Sequence, residues 1–192
     1  MVVGMLKKLF FTAISLIFKP AESWKVLSKH RTDDHETFLS GYVFPFIGLI
    51  LLATFLGVLF TRKEMDIQIA LKESIVVLLS IFCGFFVSSY LIHEVWRISM
   101  HREKNMKLCQ RFVGYSSSLM YCLNIIVSLL PEFFFLRFLV IYTIYIVWEG
   151  AIPFMEVNES EQLKFVGIAT VIILVTPLAI AFLLGKLMPG LQ

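Results

Sequence analysis

Residues 93–97 (HEVWR) are the stretch of this chain that comes nearest to a metalloenzyme motif. A zinc protease needs two histidines one helical turn apart, with a glutamate beside the first, so that both imidazoles bind one ion. The second histidine is missing here, because Arg97 stands in its place. The sequence also lacks a nucleophilic serine elbow, a phosphate-binding loop and a dinucleotide fingerprint. Catalysis by His93 and Glu94 is therefore the weakest functional hypothesis.

A second group of metal-binding residue types occurs in residues 32–36 (TDDHE). Carboxylates and imidazoles bind metal ions only when they converge on one point, which a contiguous run does not ensure. Asp33 followed three residues later by Glu36 also forms a helix capping box, with acidic groups at the positive end of the helix. The capping interpretation is favoured, and the sequence predicts neither a metal nor a cofactor.

Two polar side chains, Asn124 and Arg137, lie in apolar surroundings on either side of Pro131. At about 1.5 Å per residue both would lie about 9–10 Å below a turn at Pro131, so we expect them to meet across a helical hairpin. Glu132 and Glu73 are alternative partners for Arg137. A charge inside a membrane segment suggests function, but its shallow depth favours a structural clamp, with transport as the alternative.

A larger polar set gathers at the predicted cytoplasmic ends of the membrane segments. It consists of His93, Glu94, Arg97, Arg111, Tyr115, Trp148 and Glu149. Because these ends face one compartment, we expect Glu94 or Glu149 to pair with Arg97 or Arg111. Whether this set is structural or functional is left open.

Small residues recur every fourth position in two of the apolar segments. They are Ser80, Gly84 and Ser88 in one segment, and Gly114 and Ser118 in the other. Helices in lipid associate through close packing at small residues, and serine hydroxyls bond back to their own helix carbonyls. The pattern predicts helix packing, and it accounts for the hydroxyl-rich run that includes Ser116. A polar path for a substrate is the alternative interpretation.

The composition indicates a membrane protein, with 58% hydrophobic residues, 19 phenylalanines and a mean hydropathy of +0.84. A hydrocarbon core about 30 Å thick needs about 20 apolar residues per helix. Five segments approach that length, at about 38–60, 71–96, 110–130, 132–149 and 163–186, and none alternates as barrel strands do. The predicted fold is an all-α integral membrane protein: residues 1–37 form a cytoplasmic interfacial segment and 38–192 the five-helix transmembrane domain.

The basic residues predict the orientation of the chain. Twelve of the 17 lysines and arginines lie before the first span, between the second and third, or just before the fifth. The positive-inside rule then places the N-terminus in the cytoplasm and, with five spans, the C-terminus outside. Cys83, Cys109 and Cys122 lie in or near spans and predict neither a disulfide framework nor a zinc site.

The front of the chain, residues 6–19 (LKKLFFTAISLIFK), has the pattern of an amphipathic helix. Its polar face consists of Lys8, Thr12, Ser15 and Lys19. We expect this helix to lie in the headgroup layer with its lysines toward anionic lipid, since no cleavage site for a signal peptide follows. Pro20 is expected to begin a second helix, and Trp24 to lie at the headgroup level.

Several of these elements occur in an order that resembles the Yip family of Rab-GTPase-interacting, five-span membrane proteins, over about residues 14–188. They are Pro20 with Trp24, Pro45 early in the first span, Gly114-Tyr115-Ser116 opening the third, and Tyr145, Trp148 and Glu149 closing the fourth. The amino-acid sequences of these motifs are similar to those of bacterial members of the family. The resemblance implies a family whose eukaryotic members act in vesicle traffic and bind prenylated Rab proteins. The long polar N-terminus of those members is missing, so the Rab role does not carry over.

Together these features predict a non-enzymatic inner-membrane protein that organises the membrane or binds a partner. The lipid bilayer is its expected surrounding, and a protein partner or a second copy is the expected contact; neither a nucleic acid nor a small-molecule substrate is indicated. The alternative is a small transporter or channel that uses the polar residues of the bundle.

Overall fold

The computed structural model describes residues 2–31, 35–61, 67–100 and 105–187, and every regular element in these ranges is helical. This confirms the predicted all-α fold. The α-helices are α1 Val2–Phe18, α2 Pro20–Lys29, α3 His35–Phe38, α4 Phe44–Thr61, α5 Ile67–Met100, α6 Met106–Ser116, α7 Ser118–Leu129, α8 Thr143–Ala151 and α9 Gln162–Leu187. A π-helical turn (Leu39–Val43) joins α3 to α4, and a short 3₁₀ turn (Glu159–Glu161) precedes α9. The predicted capping residue Asp33 lies outside the described residues.

Four helical segments are long and apolar enough to cross a membrane. They are His35–Phe60, Ile67–Ile98, Pro131–Ala151 and Glu159–Leu187. Helices α6 and α7 together make a fifth candidate that is bent by 44° between Ser116 and Ser118. The described chain therefore has four such segments, or five, as the sequence predicts, when the bent pair counts as one span.

The π-helical turn before α4 is explained by Pro45 in the first turn of that helix. Proline has no N–H, and its ring clashes with the carbonyl four residues earlier in a regular α-helix. Widening the preceding turn moves that carbonyl away, and the N–H of Phe44 bonds to the carbonyl of Leu39, five residues back. The helix thus continues through the proline without breaking.

The segment from Pro131 to Tyr142 is a 3₁₀ helix, here called the 3₁₀ segment, where the sequence predicts α-helix. A 3₁₀ helix rises about 2.0 Å per residue, against about 1.5 Å in an α-helix. The span Pro131–Ala151, with 21 residues, therefore reaches farther across a bilayer than its length suggests. Phe133, near the start of the segment, departs from helical geometry (φ −86°, ψ 25°), and Arg137 lies beyond this break.

Helix α5 lies at the centre of the bundle and packs against α4, α6 and α9. Its small residues lie at the contact with α9. A Cβ atom on Gly84 would come within 2.8–3.0 Å of Pro177, and the Ser88 hydroxyl donates a hydrogen bond to the Ile172 carbonyl at 3.3 Å. Between α4 and α7, a Cβ atom on Gly57 would overlap the backbone carbonyl of Ser128. Close backbone approach at small residues holds these helices together.

Helices α1 and α2 pack on the bundle. Lys19, between them, has a non-helical backbone (φ −137°, ψ 59°), which ends α1, and α2 begins at Pro20 as predicted. Along α1, Leu9, Ala13 and Leu16 are completely or almost completely buried. The front of the chain is therefore packed into the protein along one helix face.

Candidate functional sites

Trp24 is completely buried inside the protein. Its indole N–H donates a 2.8 Å hydrogen bond to the carbonyl of Ile146 in α8. Its ring lies 5.4 Å from that of Phe112 and 5.0 Å from that of Phe154, measured between centroids. A tryptophan can be buried when its N–H has a partner, and here the protein supplies one.

Gly150 provides the space in which Trp24 lies. A Cβ atom at this position would come within 2.5–2.9 Å of three indole carbons. Any side chain larger than hydrogen would therefore displace the ring. Gly150 was not predicted from the sequence, although a glycine directly after Trp148 and Glu149, near the end of an apolar segment, was a signal of close packing.

Gly114 and Tyr115, at the start of the third predicted span, lie beside the same tryptophan. The Tyr115 ring is 6.1 Å from Trp24, 5.0 Å from Phe38 and 4.9 Å from Tyr42. A Cβ atom on Gly114, its neighbour, would approach the Phe38 ring to 2.7 Å. We call the group of Trp24, Phe38, Tyr42, Phe112, Tyr115 and Phe154 the aromatic cluster. It brings together motifs that are far apart in the sequence.

The buried serines of α5, α6 and α7 differ in their hydrogen-bond partners. Ser118, at the bend between α6 and α7, donates back to the Tyr115 carbonyl and shares a 2.6 Å hydrogen bond with the Tyr42 hydroxyl. Ser80 donates to the Val76 carbonyl of its own helix. Ser116 is completely buried, and its hydroxyl has no partner within the described part of the chain. Ser116 is not among the residues that line the cavity between α5, α7, the 3₁₀ segment and α9.

Arg111 is buried and ties α2 to α6. Its guanidinium donates a 2.7 Å hydrogen bond to the carbonyl of His30, at the end of α2, and lies 5.7 Å from the Phe38 ring centroid. A cation at a helix C-terminus interacts favourably with the helix dipole. The predicted pairing of Glu94 or Glu149 with Arg97 or Arg111 is confirmed for Glu94 and Arg97, while the Arg111 guanidinium binds the end of α2.

The remaining polar residues of this end make local contacts. Glu94 pairs with Arg97 one turn later, and the Nδ1 atom of His93 lies 3.4 Å from its carboxylate. Glu149 lies beside Tyr145, one turn earlier in α8. The Trp148 carbonyl accepts a 3.1 Å hydrogen bond from the side chain of Gln162. Within the described ranges, no three histidine, cysteine, aspartate or glutamate side chains gather at one point.

A cavity of about 400 Å³ lies between α5, α7, the 3₁₀ segment and α9. Three of the residues that line it are polar: Ser80, Asn124 and Arg137. Asn124 donates to the Met120 carbonyl of its own helix at 2.9 Å, and Arg137 is exposed. The two predicted partners thus share a cavity without bonding to each other.

The clamp predicted for Arg137 is absent from the structure. Among the described residues Arg137 makes no hydrogen bond or ion pair. The three predicted partners, Asn124, Glu132 and Glu73, are therefore not bonded to it. Glu73 is half-buried near the start of α5 and has contacts of its own. A 3₁₀ helix has about 3.0 residues per turn and an α-helix about 3.6, so the Arg137 side chain points in a different direction from that predicted for an α-helix.

We expect Gly150→Ala to destabilise the protein by about 1–3 kcal/mol, because the added methyl group overlaps the Trp24 ring. The measurement is thermal unfolding in detergent, together with the rate of tryptic cleavage after Lys25 and Lys29, which should increase as α2 detaches. Gly167→Ala in α9 is the matched control, since a Cβ atom there meets nothing within 4 Å. Equal stability and cleavage in the two variants would contradict the assigned role of Gly150.

One known family matches most of the chain. The model of the Yip1 domain matches residues 14–182, which include every motif of the aromatic cluster. No curated protein and no solved structure gives a significant match. Since the matched region is far more than half of the 192 residues, this chain belongs to the Yip1 domain family.

Proposed function

We propose that the chain is a non-enzymatic protein of the cell membrane that organises the bilayer around it, with α1 inserted as a wedge in one leaflet. The observation that carries this proposal is the arrangement of three different faces along α1. The membership in the Yip1 domain family supports a role in the membrane, and the bilayer is the partner that this proposal requires. If a protein partner takes part, it would bind where the wedge has changed the packing of the bilayer.

The three faces of α1 are distinct in burial and polarity. The first, with Leu9, Ala13 and Leu16, is buried on the bundle. The opposite face exposes the apolar side chains of Phe11, by 72%, and Phe18, by 78%. A polar strip lies along one flank between these two faces; it consists of Lys8, Thr12, Ser15 and Lys19.

A helix with these faces fits the boundary between lipid and water. Its 17 residues span about 25 Å, and the helix is not among the segments long and apolar enough to cross a membrane. The exposed phenylalanines would enter the acyl region beside the bundle, while the polar strip faces the headgroups. Because α1 is fixed to the bundle, it cannot withdraw, and it displaces lipid from one leaflet only.

We expect the triple variant Phe11→Ser, Ile14→Ser, Phe18→Ser to lose the effect of the wedge. Each substitution removes about 1–2 kcal/mol of favourable burial in lipid. The measurement is the diameter of reconstituted phosphatidylethanolamine and phosphatidylglycerol vesicles by electron microscopy. The wild-type chain should give smaller vesicles than lipid alone, and the triple variant should restore the larger diameter.

The matched control for this experiment changes the polar strip of the same helix, with Thr12→Ala and Ser15→Ala. This control should retain the small vesicles. If the triple variant and the wild type give the same diameter at equal protein content, α1 is not a wedge and the proposal is wrong.

We also propose that the N-terminus is cytoplasmic and the C-terminus extracytoplasmic. The distribution of lysine and arginine supports this orientation, provided that the bent pair α6–α7 crosses the membrane. With four crossings both termini would share one side. The orientation therefore depends on whether the bend between α6 and α7 lies inside a span.

A fusion to the C-terminus after Gln192 measures the orientation directly. We expect an alkaline phosphatase fusion to be active and a green fluorescent protein fusion to be dark, because both report the compartment of the C-terminus. A fluorescent fusion with an inactive phosphatase would show that the C-terminus is cytoplasmic and would overturn the proposed orientation.

The cavity beside Arg137 supports a second candidate function, the transport of a small solute. Nine of its twelve lining residues are apolar, and Ser116, predicted to line such a path, lies elsewhere. A lining of this kind is typical of a pocket for an apolar ligand with one polar group, and less so of a hydrated path. Transport therefore remains the secondary proposal.

A further inference from the structure

We propose that the cavity between α5, α7, the 3₁₀ segment and α9 binds one anionic phospholipid. In this proposal Arg137 binds the phosphate, and an acyl chain occupies the apolar part of the cavity. The site is separate from α1 and does not depend on the wedge. Its volume of about 400 Å³ is within the range of protein pockets for small ligands.

The charge of Arg137 indicates an anionic ligand. Among the described residues the guanidinium has no acidic partner, although it lines a cavity in a segment that is apolar enough to cross a membrane. An uncompensated charge in that position is costly, and charged residues inside membranes normally pair with another group. A planar guanidinium matches phosphate oxygens with two parallel hydrogen bonds.

The depth of Arg137 selects a lipid as the source of this phosphate. The residue lies six positions after Pro131, in the first half of the candidate span Pro131–Ala151 and therefore nearer to one end of the span than to the other. A long arginine side chain extends from such a depth toward the headgroup layer. Asn124 can add a second contact, since only one of its two amide hydrogens is needed by the Met120 carbonyl.

The remaining wall of the cavity suits an acyl chain. Its apolar side chains include Leu123, Leu174 and Leu178. Arg137 and Leu178 are both exposed, on the 3₁₀ segment and α9 respectively, so the cavity opens sideways between these two helices. A lipid of the adjacent leaflet could therefore enter with its headgroup beside Arg137 and its chain beside α9.

Native mass spectrometry of the purified full chain tests this proposal, with dioleoyl phosphatidylglycerol and dioleoyl phosphatidylcholine as probes. We expect one phosphatidylglycerol to bind on the order of tenfold more tightly than phosphatidylcholine, which carries no net charge. Arg137→Gln should lower phosphatidylglycerol binding on the order of tenfold, to the level of phosphatidylcholine, as for the loss of a charge-assisted hydrogen bond. Arg137→Lys should retain part of the preference.

Two further variants separate a site from general attraction to basic residues. Lys186→Gln removes a lysine of α9 that lies over the Phe182 ring, outside the cavity, and should leave the preference unchanged. Ala181→Trp fills the apolar part and should weaken both lipids. Equal binding of the two lipids, an equal loss in Lys186→Gln, or displacement of the lipid by inorganic phosphate alone would overturn the proposal.

Discussion

The insertion of Trp24 against Gly150 is the contact on which the arrangement of this protein depends. The indole N–H has one partner, the Ile146 carbonyl, and the indole ring has one space, above the Gly150 Cα. Both lie in α8, so the start of the chain is held by a helix that follows it by more than 100 residues. Without this contact α2 would lose its attachment to α8, and α1 would keep only its own buried face on the bundle.

Two weaker interactions fix the direction of α2 once Trp24 is in place. Arg111 binds the carbonyl of His30 at the end of the helix, and Arg31 pairs with Glu156 at 2.5 Å in the loop after α8. The first is buried and the second is exposed, so the first contributes more. Both interactions lie at the C-terminal end of α2, and together with Trp24 in its middle they hold the helix on the bundle. The proposed wedge requires that α1, which precedes it, keeps a constant direction.

The sequence was sufficient for the helical class, the apolar segments, the helix start at Pro20 and the family. Those features depend on composition and on local backbone preferences. It was not sufficient for the contact of Trp24 with α8, because nothing local in the sequence indicates partners more than 100 residues away. The 3₁₀ segment was also missed, since an apolar aromatic run does not distinguish 3₁₀ from α-helix, and the partners predicted for Arg137 assumed an α-helix.

The most direct test of the account is the distance between α2 and α9 in lipid nanodiscs, measured by pulsed electron paramagnetic resonance. Spin labels at the exposed positions Lys25 and Lys164 report it, in a chain whose three cysteines are replaced by alanine. We predict one narrow distance distribution for this chain, and a broad one after Trp24→Ala. A distribution that stays narrow and unshifted after Trp24→Ala would show that the tryptophan does not hold the front of the chain in place.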